Sequence, residues 1–473
     1  MSLKPLGRGA QATSALHGRV CRYVALCCYA TAGVACDGSA VVTPDATNPP
    51  PEVALEAGHT QAVTPDAVAA TVLQQSAAPS GAPAQPLAKA TPAQVQAQAE
   101  PAAPALHSEL PAAPTARHAV GTVRIELDVA EARRIPVQLW YPASESARLE
   151  AEAGRPVLEF EPEGTRERQQ LAKLTNDAGP IYSQRTMHAA NAPEVLSQAD
   201  RFPLVLISHC NDCTRYTYFE VAEELAARGF VVAAPDHVGN TLYNFVAGDS
   251  VGLELNVFLE TRRLDMYTLT DRLLDAEAQV IPSGLRGRID PARVGMAGHS
   301  FGALTTSYAS TRDPRIRAVA FLAMLASLGD NLPVLGDQLA QQMPPVKLSK
   351  PAFFLLATED GINLFGLDEL IRQNYADYPT ETWLATLQDT GHYSVTNICG
   401  IAPGYENGCG DGFRTHEFLV PFTYLNIDTA TSLTAALVAT YFELQLNGAS
   451  AQSLDEIASG ASQVLRMEHR VPQ

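Results

Sequence analysis

By length alone the 473 residues could hold up to about three average domains, so composition has to set the organisation. Acidic residues outnumber basic ones 51 to 33, a formal net charge of -18; this excludes the broad electropositive surface that neutralises phosphates and argues against a nucleic-acid partner. With 46% hydrophobic and 18% charged residues there is ample apolar material for a large core, and no uncharged apolar run reaches the roughly 18 residues that a membrane-spanning helix needs.

The first element in chain order reads as a leader. Val24 to Ala35 (VALCCYATAGVA) follows Lys4, Arg8, Arg19 and Arg22 and ends in small residues, which is the order of charge, apolar core and small-residue exit found in export signals. Residues 1–36 are therefore expected to send the protein out of the cytoplasm, to the periplasm or cell surface, with secretion as the alternative. Cys36, after Gly33-Val34-Ala35, resembles the lipobox cysteine of bacterial lipoproteins, with Gly33 where that pattern usually has Leu. The resemblance implies that Cys36 is lipidated and tethers the chain to a membrane. Residues 37–117 are dominated by Ala, Pro, Gln, Thr and Val with almost no aromatics. Such a segment cannot bury enough apolar surface to offset its ordering entropy, and its prolines keep it extended, so it reads as a disordered linker.

Ordered structure is expected over 118–448, with 449–473 as a C-terminal tail. GTVRIELDVA (121–130) and IPVQLWYPA (135–143) alternate in the manner of an antiparallel strand pair at a sheet edge, and 144–201 is polar, mixed and hard to place. Beyond it, apolar runs alternate regularly with amphipathic segments. PLVLIS (203–208), FVVAAP (230–235), RVGMAG (293–298), AVAFLAM (318–324), PAFFLLAT (351–358) and TWLATL (382–387) read as strands. YFEVAEELAARG (218–229), a long segment within 255–280 and Thr429 to Leu446 read as helices. Continuous β-rich runs alternating with helices imply an α/β fold, a mostly parallel central sheet covered on both faces.

The strand RVGMAG runs straight into Gly298-His299-Ser300-Phe301-Gly302 and then a helical segment. A nucleophile on such a sharp strand-to-helix turn needs small flanking residues, because the tight backbone leaves no room for side chains. The turn exposes the Ser300 hydroxyl and aims a helix N-terminus at the oxyanion that forms. A serine hydroxyl also needs a base to take its proton and a carboxylate to orient that base, and this type of turn calls for them in the chain order Ser, Asp or Glu, His. Asp360 follows PAFFLLAT in the loop ATEDGIN and His392 follows TWLATL in DTGHYS, both just past the C-terminal ends of strands, where ligands bind in open α/β sheets. For the acid, Asp330, Glu359 and Asp389 stand as alternatives to Asp360, Asp330 foremost. For the base, His237, His299 and His416 lack the order or placement of His392.

Cys21, Cys27, Cys28 and Cys36 fall in the leader, which leaves Cys210, Cys213, Cys399 and Cys409. In an oxidising compartment the short loop between Cys399 and Cys409 suits a disulfide. Cys210 and Cys213 have CxxC spacing without a thioredoxin-type setting or a second pair at zinc-ribbon spacing, so they read as structural, a second small disulfide, and neither a metal nor an organic cofactor is expected.

LVLISHCNDCTRYTYFEVAEELAARGFVVAAPDHVGNT, RRLDMYTLTDRLL and RIDPARVGMAGHSFGALTT together resemble the platelet-activating-factor acetylhydrolase and dienelactone-hydrolase-like serine esterases of the α/β-hydrolase superfamily, over roughly residues 120–445. The resemblance implies an oxyanion hole made by the backbone N–H groups of Asn211 and Phe301. This chain departs from the pattern in two places: Cys210 replaces the glycine usual after His209, and Met324-Leu325-Ala326 stands where the acetylhydrolases carry their acid, so Asp360 fits the dienelactone-hydrolase-like pattern. Dienelactone hydrolases proper use a cysteine nucleophile, and here Ser300 occupies that position. Insertions at 237–260 and 325–350, with Leu242, Phe245, Leu253, Val257, Phe258, Leu328, Leu332 and Leu335, either form a lid or apolar wall over the site or pack locally. The expected chemistry is hydrolysis of a small-molecule or lipid-like carboxylic ester through an acyl-enzyme, with lipase, polyester hydrolase and acyltransferase as neighbours on the same turn and a non-catalytic surface-binding lipoprotein as the opposing class.

Overall fold

The computed structural model describes residues 117–472 except 180–181, 183–184, 199, 251–254, 327–345, 347, 362–366 and 418–419. The leader 1–36 with Cys36, the linker up to 116, Leu253, Asp330 and Leu328, Leu332 and Leu335 of the second insertion lie outside the described residues.

Ten strands form one sheet among the described residues. In chain order they are β1 (Ala119–Ala130), β2 (Arg133–Ala143), the two-residue β3 (Ala190–Asn191), β4 (Phe202–Ser208), β5 (Val231–Pro235), β6 (Ile289–His299), β7 (Ile316–Leu322), β8 (Ala352–Ala357), β9 (Thr382–Leu387) and β10 (Leu465–Arg470). Their spatial order is β10-β9-β8-β7-β6-β4-β5-β2-β1-β3. Strands β5, β4, β6, β7, β8 and β9 are parallel, and β2 and β10 join them antiparallel at either side. The labelled helices are α1 (Arg166–Asp177), α2 (Phe219–Ala227), α3 (Leu242–Ala247), α4 (Leu255–Leu274), α5 (Phe301–Arg312), α6 (Leu367–Asp377), α7 (Ile427–Asn447) and α8 (Gln452–Gly460).

The unbroken apolar runs have the physical origin expected of parallel strands, since each strand buries both of its faces. Alternate residues go to opposite cores. Val205, Ile207, Phe353 and Leu355 meet α2 and α7 through Phe219, Leu225, Leu437 and Phe442; Leu204, Leu206, Phe354 and Leu356 meet α4, α5 and α6 through Met266, Leu269, Leu304 and Ile371. The chain leaves β4 toward β5 on one side and returns to place β6 on the other. The loops after β4 and β6 therefore diverge from adjacent strands, the position at which open α/β sheets bind ligands.

One expectation needs correction, and one left open is partly decided. Residues 449–473 are not a tail: α8 buries Leu454 and Ile457, and β10 pairs with β9 from Leu387↔Leu465 to Thr382↔Arg470. The segment is polar on its exposed side, LRMEHR, because β10 is an edge strand covered on one face only, which removes the apolar signal that marked the other strands. In the first insertion, Leu242 and Phe258 are buried core residues, while Phe245 and Val257 are exposed, so packing against the domain, not a wall over the site, accounts for half of the apolar residues named there and described.

Deleting residues 449–473 from the 117–473 domain should lower its unfolding free energy by about 5 kcal/mol, since Leu454, Ile457 and Leu465 each lose a buried environment. Urea denaturation of the two proteins measures the difference, and equal midpoints would return the segment to the status of a tail.

Candidate active site

Strand β6 delivers the chain to Ser300, and α5 starts one residue later. Ser300 sits at φ 52°, ψ -120°, a conformation that costs a non-glycine residue about 1–3 kcal/mol. The flanking glycines are required sterically: a Cβ on Gly298 would collide with the Gly302 carbonyl, and one on Gly302 with the carbonyl of Ser208 at the end of β4. The turn is fixed to the sheet by Ser300 N donating to Leu322 O of β7 at 3.0 Å. Phe301 opens α5, so its N–H belongs to the set of donors a helix leaves unpaired at its positive end.

The loops after β8 and β9 bring Asp360 and His392 together. His392 Nδ1 lies 2.8 Å from Asp360 Oδ2, and both side chains are buried. The other carboxylates nearby are engaged elsewhere: Glu359 accepts from Arg414 Nη1 and Thr415 N, each at 2.7 Å, and Asp389 also pairs with Arg414. His416 faces Asp368 at 3.3 Å on the surface. The His392 ring rests on that of His299, centroids 4.5 Å apart, and His299 directly precedes Ser300.

Asn407, which sequence reasoning passed over, ties these two loops to each other. Its Oδ1 accepts from Gly361 N at 2.9 Å and from His392 N at 2.6 Å, and its Nδ2 donates to Tyr424 Oη at 2.9 Å. Asn407 lies inside the loop closed by the Cys399–Cys409 disulfide. Nothing in the local sequence ENGCG announces such a role, because both partners are backbone groups 15 and 46 residues away. Beside His392 runs a row of rings: Tyr393 at 5.0 Å, Tyr405 at 4.9 Å from Tyr393, and the exposed Phe245 at 5.9 Å from Tyr405.

The loop after β4 carries Asn211. Cys210 and Cys213 are disulfide-bonded, and Asp212 takes φ 53° between them. Asn240 Nδ2 donates to Asn211 Oδ1 at 2.9 Å and to Asp212 Oδ1 at 3.0 Å. From α4, the fully buried Arg262 donates to His209 O at 2.6 Å and to Cys210 O at 3.1 Å, and also to Asn240 Oδ1. Burial lowers the Arg262 pKa to about 9, which leaves it charged at neutral pH. Its signal in the sequence is a charge on the apolar stripe Leu259, Arg262, Met266, Leu269, whose spacing marks the buried face of α4.

A second Ser-His-Asp array lies under the first. His237 Nδ1 is 2.9 Å from Asp265 Oδ2 and its Nε2 is 3.0 Å from Ser208 Oγ. The whole array is sealed, with Ser208 at 0%, His237 at 1% and Asp265 at 0% exposure, so no substrate reaches it. Burial drives the pKa of His209, His237 and His299 well below the ordinary 6.5, with the Arg262 charge adding to the effect on His209 and His237. Neutral His237 donates through Nδ1 to Asp265 and accepts from Ser208. Among the described residues no group of three or more His, Cys, Asp or Glu side chains is placed to hold a metal ion, and no helix is long and apolar enough to cross a membrane.

A mostly parallel sheet layered by helices, with a serine on a glycine-flanked turn and an acid and histidine on the loops beyond it, is the α/β-hydrolase arrangement. Residues 105–246 match the family described as platelet-activating factor acetylhydrolase, isoform II. The platelet-activating factor acetylhydrolase of Canis lupus familiaris is 26% identical over 179 residues, an alignment covering 30% of this chain and 39% of that enzyme, so the chain matches well under half the length of this relative. A ferulic acid esterase from Streptomyces cinnamoneus superposes with a TM-score of 0.52 at 20% identity, covering 73% of this chain and 95% of that one. The chain thus has the α/β-hydrolase fold, and its residues 105–246 are similar to the platelet-activating factor acetylhydrolases.

Folded, His299 stays neutral far below pH 6.5; unfolded, it takes up a proton there. The stability it contributes is complete above about pH 6.5 and lost as the pH falls. His299→Leu should flatten the pH dependence of unfolding free energy below pH 6.5 by about 1.4 kcal/mol per pH unit relative to the parent protein. Urea titrations at pH 5 to 7 read this slope difference, and parallel curves would show that His299 is not held neutral.

Proposed function

We propose that this protein hydrolyses carboxylic esters with Ser300 as nucleophile, His392 as general base and acid, and Asp360 as the carboxylate that orients His392. The observation that carries the reading is the 2.8 Å contact between His392 Nδ1 and Asp360 Oδ2 on the loops that flank a serine held at φ 52°. Ser300 Oγ attacks the ester carbonyl carbon as its proton passes to His392 Nε2. Asp360 accepts from Nδ1–H, fixing the tautomer and stabilising the imidazolium. The N–H groups of Asn211 and Phe301 receive the carbonyl oxygen as it becomes negative. Collapse expels the alcohol with the proton from His392, and water, deprotonated by the same imidazole, then releases the acid and restores Ser300. None of these steps calls for a metal or an organic cofactor.

The exposed Phe245, packed on the Tyr405 and Tyr393 rings beside His392, supports an ester with an apolar or aromatic part, so acetyl and feruloyl esters, the groups in the names of the two relatives, belong in the first substrate panel. Two disulfides among the described residues favour an exported protein, with Cys36 as its membrane tether. Membrane fractionation tests the tether: the full-length protein should sediment with membranes and Cys36→Ala should not, and equal partition of the two would sink it.

Ser300→Ala should abolish hydrolysis of p-nitrophenyl and feruloyl esters, and Asp360→Asn should cost about 10⁴-fold in kcat. Ser208→Ala, which cuts the sealed array, should stay within about tenfold of the parent, the loss of one buried hydrogen bond. Undiminished activity in Ser300→Ala, or a dead Ser208→Ala that is still folded, would overturn the assignment.

Asn407→Ala should lower kcat about 10- to 100-fold with little change in KM, because misplacing a base by about 1 Å carries that cost. Steady-state kinetics on the same esters decide it: a change confined to KM would mean that Asn407 acts on substrate binding instead of on the His392 loop.

A further inference from the structure

Helix α4 turns a stripe of Leu259, Arg262, Asp265, Met266 and Leu269 into the protein, and two of these five residues are charged. Asp265 is matched by Arg133 at 2.7 Å and by His237. Arg262 forms no ion pair among the described residues, and its acceptors are the neutral oxygens of His209, Cys210 and Asn240. The Asp265 and Asp212 carboxylates act on it only at longer range; burying a cation whose direct partners are all neutral is costly, and a neutral amide would tie a helix to a loop at lower desolvation cost.

The acceptors themselves suggest a purpose. The Cys210 carbonyl is one end of the peptide unit whose other end is the Asn211 N–H. The peptide is trans, so its C=O and N–H point to opposite sides. A guanidinium on the carbonyl therefore turns the N–H away from α4 and draws electron density out of the amide, which strengthens it as a donor. His209 Nδ1 donates to the same oxygen at 2.7 Å, reinforcing both effects. The guanidinium carbon also lies 4.7 Å from the centre of the Phe301 ring, and Phe301 supplies the other N–H. One buried charge thus touches the Cys210–Asn211 peptide unit and the side chain of Phe301.

We propose that Arg262 is the positioning residue of the oxyanion hole, aiming and polarising the Asn211 N–H through the Cys210 carbonyl while its guanidinium holds Phe301 in register. The inference rests on the reading of Asn211 and Phe301 given above. Arg262 touches no reacting atom; it acts through the peptide unit it holds, and its effect belongs to the transition state, where the oxygen carries charge, more than to ground-state binding.

Kinetics on p-nitrophenyl acetate, with binding of a trifluoromethyl ketone whose Ser300 adduct bears the oxyanion, test this in the full-length chain. Arg262→Met should lower kcat about 100-fold, the scale of losing one oxyanion donor, with KM within about threefold, and should weaken the ketone in parallel with kcat. Arg262→Lys, which keeps the charge without the fork, should recover about tenfold of that loss, and it carries the test if the Met variant does not fold. Arg262→Met that is less stable yet retains kcat and ketone affinity would overturn the proposal, as would a Lys variant no better than Met. If Ser300→Ala is inactive while both Arg262 variants keep full kcat, only this inference fails; if Ser300→Ala remains active, the reading beneath it fails first.

Discussion

Ser300 holds a backbone conformation that an L-residue avoids, and the surrounding structure exists in part to enforce it. The strain of about 1–3 kcal/mol persists because β6 is locked between β4 and β7 up to the turn, while α5 pulls the chain away immediately after it. Gly302 lies against the carbonyl of Ser208, so the end of β4 and the start of α5 are in van der Waals contact. That contact sets the spacing between the loop after β4, which carries Asn211, and the helix N-terminus that carries Phe301. Position in the sheet does the rest: β4 and β6 are neighbours from which the chain departs in opposite directions, the position at which open α/β sheets bind ligands.

Polar groups buried beneath these loops are costly, and they are arranged so that nearly every one constrains the loop after β4. Arg262 takes its carbonyls from one side. Farther along, Arg215 N and Nη1 each donate to the Asp236 carboxylate at 2.6 Å, and Nη1 reaches Glu161 at 2.7 Å. Tyr243 of α3 closes the set on Glu161 at 2.8 Å. Between them the Cys210–Cys213 disulfide holds Asp212 at positive φ. Buried ion pairs contribute little net stability once desolvation is counted; what they supply is a single geometry. The sealed Ser208, His237 and Asp265 array belongs to this scaffold. It has the hydrogen-bond order of a Ser-His-Asp array in a place that no substrate reaches.

On the other side of the sheet edge Asp360 and His392 depend on the segment around Cys399 and Cys409, which carries little regular structure. Its rigidity comes from the Cys399–Cys409 cross-link and from Asn407, whose one carboxamide oxygen receives the backbones of both the Asp360 and the His392 loops. A cross-link of this span removes about 3 kcal/mol of conformational entropy from the unfolded chain. It thereby replaces the strand pairing that orders the rest of the domain.

The α/β class, the strands β4 to β9, Ser300 with its two glycines and the histidine at 392 were all legible in the sequence. These features rest on local rules: an apolar run of strand length, a turn that admits only small residues, a loop directly after a strand. What depended on distant partners was not legible. Asp360 was preferred to Asp330, Glu359 and Asp389 on its placement in the loop alone, and the packing of the loops then set its carboxylate on His392 while Arg414 pairs with Glu359 and Asp389. Strand β10 was read as a tail because an edge strand buries one face and loses the apolar signature. Asn407 and Arg262 carry no motif, since each is defined by the backbone groups it reaches across the fold. The sequence by itself determined which residue types the chemistry has at its disposal and where each leaves its strand; the tertiary structure decided which of them meet, because hydrogen bonds between loops far apart in the chain are set by how the sheet brings those loops together.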